Sequence, residues 1–473
     1  MTSRVPWREN TLLAALVLVG GVLLAVFSER IFAGGGLGYD GCSYGAIITR
    51  YADVRSGALA LNSGLYFRVV PALVIRAVMM ALGIPLTVPH VITAFQIINV
   101  ALLALGAWLF GNCCDRIGLS RDGKILGFIG IFINYVVLKY SSYYPVLLDT
   151  TSLVLGIVLA WLYLSRRTWW LLPAGIGAFF IGPNVGLQAF LLFLLPARKE
   201  AQTPPRLPRP VAATLSLAMV VGCWWLLATG APHNMEAMAI ALAAIGGATY
   251  CLSRAAGFSP ADLLRPGMLI RLGLVAGLVL ALTVLPRLFP TLAAFDWVAL
   301  FFQYARTVLQ NSVVRPGEFV VAHTLYFGPI MLAVVCLFGP VCRAARRLGG
   351  GWLLVVAFGT LQGLNPLSRQ MVGILPFLVL PVCLVLDSRP LPRLFLWGMA
   401  AASLAGSKVW QHINAGADFN LPMEKQPAVW SRYLESTGYW MREADYRVQG
   451  VVVLAALILM AATLWRMRFT RRT

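Results

Sequence analysis

The stretch GYDGCSYGAI, residues 38–47, sets a lone carboxylate, Asp40, among glycines and tyrosines just after the first apolar run of a very apolar chain. An ionisable group at the edge of a bilayer is costly unless it is paired or wetted, which makes it a functional candidate by default. Its glycine neighbours let backbone approach a ligand closely, and Tyr39 and Tyr44 offer rings and hydroxyls suited to a sugar. A turn aspartate bonding locally within a glycine-rich loop has the same signature. From this residue alone both readings stand.

Other groups fall on the same expected face. Asp149, in YYPVLLDTTSLVLG, marks the entry to a span; an acid followed by Thr150, Thr151 and Ser152 has the form of a helix N-cap, and capping is the favoured reading, compatible with a second role. Arg369 and Gln370, in NPLSRQMVGILPFLVLP, sit on an outward loop between two spans. A guanidinium there suits a bidentate grip on phosphate or diphosphate, the common alternative being an arginine that reaches lipid headgroups. Glu318 and His323 share RPGEFVVAHTLYFGP, where His323 is either an acid or base or a histidine held by a structural hydrogen bond. His90, His233, His323 and His412 all map to the outer side but share no ligand-like spacing. Of 8 cysteines only Cys42 falls in an outer loop, so no disulfide framework is implied.

The elements that must position these groups follow from composition. The chain has 473 residues, 59% of them hydrophobic and 12% charged, and a mean hydropathy of +0.78, with repeated apolar runs near the ~20 residues that cross a bilayer. It reads as an all-α polytopic membrane protein. The net charge of +20 gathers on short connections, such as Arg116, Arg121 and Lys124, or Arg343, Arg346 and Arg347, which marks that face as cytoplasmic. Basicity so distributed reports topology and contact with anionic membrane lipids, and nucleic acid is not called for.

Starting with the N-terminus inside and reversing at each basic connection gives about twelve full crossings, near 11–28, 90–110, 125–140, 149–165, 211–230, 235–253, 267–287, 323–343, 352–366, 371–387, 394–410 and 449–466, with both termini cytoplasmic. The apolar stretch 169–196 is interrupted by GPNVG, and its arms are too short to span, so it is expected as a re-entrant hairpin offering Asn184 and Gln188 at its break. YFRVVPALVIRAVMMALG, with Arg68, Pro71 and Arg76, reads as an interfacial amphipathic helix within a first outer loop, 29–89. This first module, 1–200, is joined by a Pro-rich cytoplasmic linker, 201–210, to a second, 211–473, with outer loops 288–322 and 408–448. Within the last loop, Glu424 to Tyr446 mixes aromatics with both charges, as a carbohydrate-facing loop or an interfacial aromatic belt would. Long loops on one face place chemistry or recognition there.

Taken together, these stretches resemble the GT-C superfamily of multi-span glycosyltransferases. GYDGCSYGAI stands where that family carries its essential acid, in the first outer loop beside interfacial helices. FQIINVALLALGAWLF looks like its Asn-bearing second span, YYPVLLDTTSLVLGIVLAWLYL like the later span with an acid at its outer end, and LSRQMVGILPFLV like its Arg-containing segment before a Pro-broken span. The resemblance implies inverting transfer of a sugar from a polyprenyl-phosphate donor to a glycan, lipid or protein acceptor outside a bacterial plasma (inner) membrane. Asp40 would be the base, Arg68, Arg369 and Gln370 would bind the donor phosphate, and Tyr39, Tyr44, Tyr143, Tyr144, Asp149, Asn184, Gln188, Glu318 and His323 would shape the pocket.

Many members pair acids in the first loop, whereas Asp40 stands alone with Asp53 further on, and Asn184 and Gln188 occupy the hairpin where an acid is expected. No cofactor is therefore called for with certainty, a divalent metal remains an alternative, and an inactive variant is a second one. A transporter or flippase of lipid-linked sugars is the rival from a different class, favoured by the broken hairpin and disfavoured by the absence of visible repeats. An acyltransferase built on His323 lacks a second supporting motif.

Overall fold

The structure, a computed structural model, describes residues 6–56, 58–59, 68–195, 207–228, 234–256, 266–284, 297–416, 418 and 441–469. Among these every regular element is helical, as expected of a chain whose backbone polar groups must be satisfied without water. Among the described residues six helices are long and apolar enough to cross a membrane, or seven if one bent pair is a single span: Trp7–Phe27, Val88–Arg116, Arg209–Ala228, Met235–Ala255, Ser368–Leu386 and Glu443–Met467 are the six. The molecule is a membrane-embedded helical protein.

The expected count of twelve is not reproduced. Several runs that hydropathy reads as spans are shorter or broken. The run at 125–140 becomes the pair Arg121–Phe132 and Val136–Tyr143, bent by 51°. Asn134 causes the break: its Nδ2 donates to the carbonyls of Gly130 and Ile131, and its Oδ1 accepts from Val137 N, so one side chain replaces the helical partners at the kink. The run at 323–343 is cut at Gly328-Pro329 and again at Leu337 into Glu318–Phe327, Ile330–Cys336 and Phe338–Leu348; the first break arises because proline supplies no N–H and cannot continue the preceding helix. The runs at 149–165, 352–366 and 394–410 form Asp149–Leu164, Gly350–Gln362 and Arg393–Gly406, of 16, 13 and 14 residues.

The stretch 169–196 folds as two short helices, Leu171–Phe179 and Pro183–Leu194, packed on each other and joined through Gly182. The stretch 29–89, expected as the first outer loop, contributes Tyr39–Thr49, Tyr51–Ser56 and Val70–Ala81. Val70–Ala81 buries Ala72, Ile75 and Met79 while exposing Val74, Val78 and Met80, so apolar side chains stand on its uncovered face as well as its buried one. The linker residues 201–206 and most of loop 408–448, including 424–440, lie outside the described residues.

Three packings position the outer end. Asp149–Leu164 lies against Val88–Arg116, whose Asn99 Nδ2 donates to Pro145 O at 2.8 Å and so fixes the approach to Asp149. Asp149–Leu164 also packs on the turn Ser368–Ile374, which is in turn flanked by Pro183–Leu194. Gly156 permits this approach: a Cβ there would stand 2.2 Å from Gly373 O, closer than any real contact.

Candidate functional site

At the junction of these elements lies a cavity of ≈ 180 Å³ whose polar lining includes Asp40, Tyr44, Arg68, Asp149, Asn184, Arg369 and Gln370. The sequence singles out each of them, and they come from five separate stretches of chain. At the centre Arg369 bridges two carboxylates. Its Nη1 lies 3.3 Å from Asp40 Oδ2, and its Nε lies 3.2 and 3.4 Å from the two Asp149 oxygens.

Asp40 sits in the first turn of Tyr39–Thr49, where the helix dipole favours negative charge. The N-cap residue is Gly38, with φ +70; a Cβ there would fall 2.2 Å from the Tyr144 ring, so only glycine lets the loop fold over that ring. Tyr144 OH then accepts from Gly41 N at 3.1 Å, holding the helix start over the cavity. Burial raises the Tyr44 phenol above its ordinary value, with Arg68 pulling it back, so it faces the cavity as a neutral hydroxyl.

Asp149 does not cap its helix. Leu148 takes the cap position without a side-chain hydrogen bond, and the Asp149 carboxylate turns to Arg369. Arg369 is held from both sides along its own backbone. Before it, Ser368 Oγ lies 2.9 Å from His323 Nδ1, whose Nε2 meets Gly363 O at 2.9 Å. After it, Gln370 Oε1 accepts from Tyr304 OH at 2.5 Å and Asn365 Nδ2 at 3.1 Å. The guanidinium is thus carried on a fixed turn.

Other expected site residues go elsewhere. His323 is buried and spent on those two hydrogen bonds, so the histidine serves the turn that carries Arg369 and does not line the cavity. Tyr143 is buried and donates to Asn414 Oδ1 at 2.9 Å, while Tyr39 is 55% exposed and is not among the residues lining the cavity. Tyr144 lies beneath the loop and Gln188 is fully buried, its amide without a hydrogen bond among the described residues. Glu318 stands outside the cavity, its Oε1 3.4 Å from Arg315 Nη1. Sequence reading missed Ser152, which lines the cavity one turn beyond Asp149 on the same helix face. It also missed Tyr140 and Tyr326, which pack together beneath the ion pairs at a ring separation of 5.9 Å.

Glu318 carries a consequence for stability. It heads its helix outside the expected span, and burial pushes its pKa up to about 7, with Arg315 opposing. A carboxyl whose folded pKa is raised lends stability that is complete below the unfolded value, 4.5, and is lost as pH rises through 7. The wild type should therefore lose roughly 3 kcal/mol between pH 5 and 8 from this group. Glu318→Gln should remove that slope in thermal melts of protein in lipid; parallel pH profiles would refute it.

A divalent metal does not fit the protein's own donor set here. Two carboxylates face the cavity with a guanidinium already between them, and among the described residues no group of three or more His, Cys, Asp or Glu stands close enough to hold an ion. No protein-family model matches this chain, and comparison with curated proteins and with solved structures gives no match.

Proposed function

We propose that this chain is a membrane glycosyltransferase that moves a sugar from a polyprenyl-phosphate donor to an acceptor hydroxyl on the extracytoplasmic side, with inversion. The observation that carries this reading is a cavity lined by a half-exposed carboxylate, Asp40, its ion-pair partner Arg369, and a second guanidinium, Arg68. Asp40 accepts the acceptor's hydroxyl proton as that oxygen attacks the anomeric carbon. The bond from that carbon to the phosphate oxygen breaks, and the electron pair leaves on the lipid phosphate. Arg369 and Arg68 neutralise the departing phosphate in a partly dry site, where fixed charge is most effective. A single displacement inverts the anomeric centre. Asn184, at the head of Pro183–Leu194, and Gln370 supply neutral polar contacts to the sugar.

A GT-C-like arrangement, a bacterial plasma membrane and cytoplasmic termini belong to the same proposal, as do a glycan, lipid or protein acceptor and a prenyl chain lying among the apolar helices. The test supplies labelled polyprenyl-phosphate sugars to purified protein in lipid vesicles. Label moving onto an acceptor is the expected result. Label that only crosses the bilayer would replace this reading with the flippase, and label that does neither would remove both.

A further inference from the structure

The bridge made by Arg369 is unequal on its two sides. The Asp149 side chain is 9% exposed and engages Nε through both oxygens, whereas the Asp40 side chain is 46% exposed and holds Nη1 by one contact. An exposed ion pair of that kind is weak and yields to a competing anion. A buried carboxylate does not give up its cation, because the charge left behind would be stranded. The Nη edge that Asp40 occupies is the edge a phosphate would take. Arg68 lines the same cavity beside Tyr44 and brings a second cation to it.

We propose that Arg369 is handed over within the site: it rests on Asp40 when the cavity is empty and passes to the donor's phosphate when donor binds, with Asp149 holding it as the fixed pivot throughout. Donor binding thus releases Asp40 Oδ2 to take the acceptor's proton, and donor must precede acceptor. Asp149 is a positioning residue in this scheme; it acts on the phosphate through Arg369. The inference rests on the transferase reading for its donor, but the hand-over itself is a binding event and is measured without turnover.

The experiment measures binding of polyprenyl phosphate, carrying no sugar, to the full chain in phosphatidylcholine nanodiscs, with inorganic phosphate run alongside as a soluble anion. Asp40→Asn should bind the lipid phosphate about three- to fivefold more tightly, the size of one exposed ion pair released. Asp149→Asn should bind it at least tenfold more weakly, because Arg369 then loses its pivot and stays on Asp40. Asp149→Glu, which keeps a carboxylate at Nε, should restore binding toward the wild-type value. The opposite signs discriminate: each Asn variant removes one negative charge, so a cavity that read net charge alone would tighten in both.

Shifts in the same direction overturn the hand-over. Should Asp149→Asn not fold, unchanged or weaker binding by the half-exposed Asp40→Asn still overturns the proposal. Binding of inorganic phosphate with these shifts while the lipid phosphate is ignored overturns the lipid donor as the receiving anion. A wild type that binds polyprenyl phosphate with the expected shifts in its variants yet moves no labelled sugar refutes the transferase reading and upholds the hand-over.

Discussion

Asp40→Asn should lower the rate of sugar transfer by roughly 10²–10⁴-fold, the span lost when a positioned general base is removed, while leaving the melting temperature nearly where it was. The two parts of the expectation come from the same geometry. The carboxylate makes one contact, 3.3 Å to Arg369, from a side chain that is 46% exposed, and an exposed pair contributes about 0–1 kcal/mol. Loss of the charge therefore has little to unfold. The asparagine keeps the volume and can still meet a hydroxyl, but it cannot hold the proton, so the deficit belongs in kcat rather than in the donor's KM. A variant that transfers at the wild-type rate would end Asp40's role as base. One that loses activity together with several degrees of melting temperature would move Asp40 from chemistry to structure.

The sequence carried the identity of the central groups but not their partnership. Asp40, Asp149 and Arg369 each stood out as charges in apolar surroundings, and all three meet in one cavity. Yet Arg369 lies 329 positions from Asp40 and 220 from Asp149, and no periodicity relates residues so far apart. Asp149 was read as a cap because local pattern weighs the residues that follow, whereas the carboxylate's fate was set by an arginine delivered through the close approach of Gly156 to Gly373. His323 and Glu318 had the right residue types at the right depth, and the packing turned them to Ser368 and Arg315. Hydropathy also reads continuous spans where the described helices are short or broken, because it sums side-chain character and is blind to a backbone broken at Asn134 or Pro329. Tyr140 and Tyr326 carry no signal in a linear pattern, since a ring beneath a charge and a ring at a lipid boundary look alike there.

Arg369→Ala should cost about 3–5 kcal/mol of stability, because it strands the Asp149 carboxylate, whose side chain is only 9% exposed, without its cation. The same change removes the guanidinium from the phosphate edge and should abolish transfer, so stability and activity fall together and the single variant cannot apportion them. The double variant Arg369→Ala with Asp149→Asn can. It takes away the stranded charge, and most of the lost stability should return, giving a coupling of about 2–3 kcal/mol between residues in direct contact. Activity should not return, since no cation remains at that edge. Arg369→Lys fills the interval between these outcomes. It keeps one positive charge but offers a point ammonium where the fork served two directions, so it should hold Asp149, and with it most of the stability, while engaging phosphate poorly. Melting curves in lipid of the wild type, the single variants Arg369→Ala and Asp149→Asn, their double and Arg369→Lys, read beside transfer rates, check the whole set. Additive losses in the cycle would mean that Asp149 and Arg369 are neighbours without being partners, and would leave the buried carboxylate to be explained by some other cation.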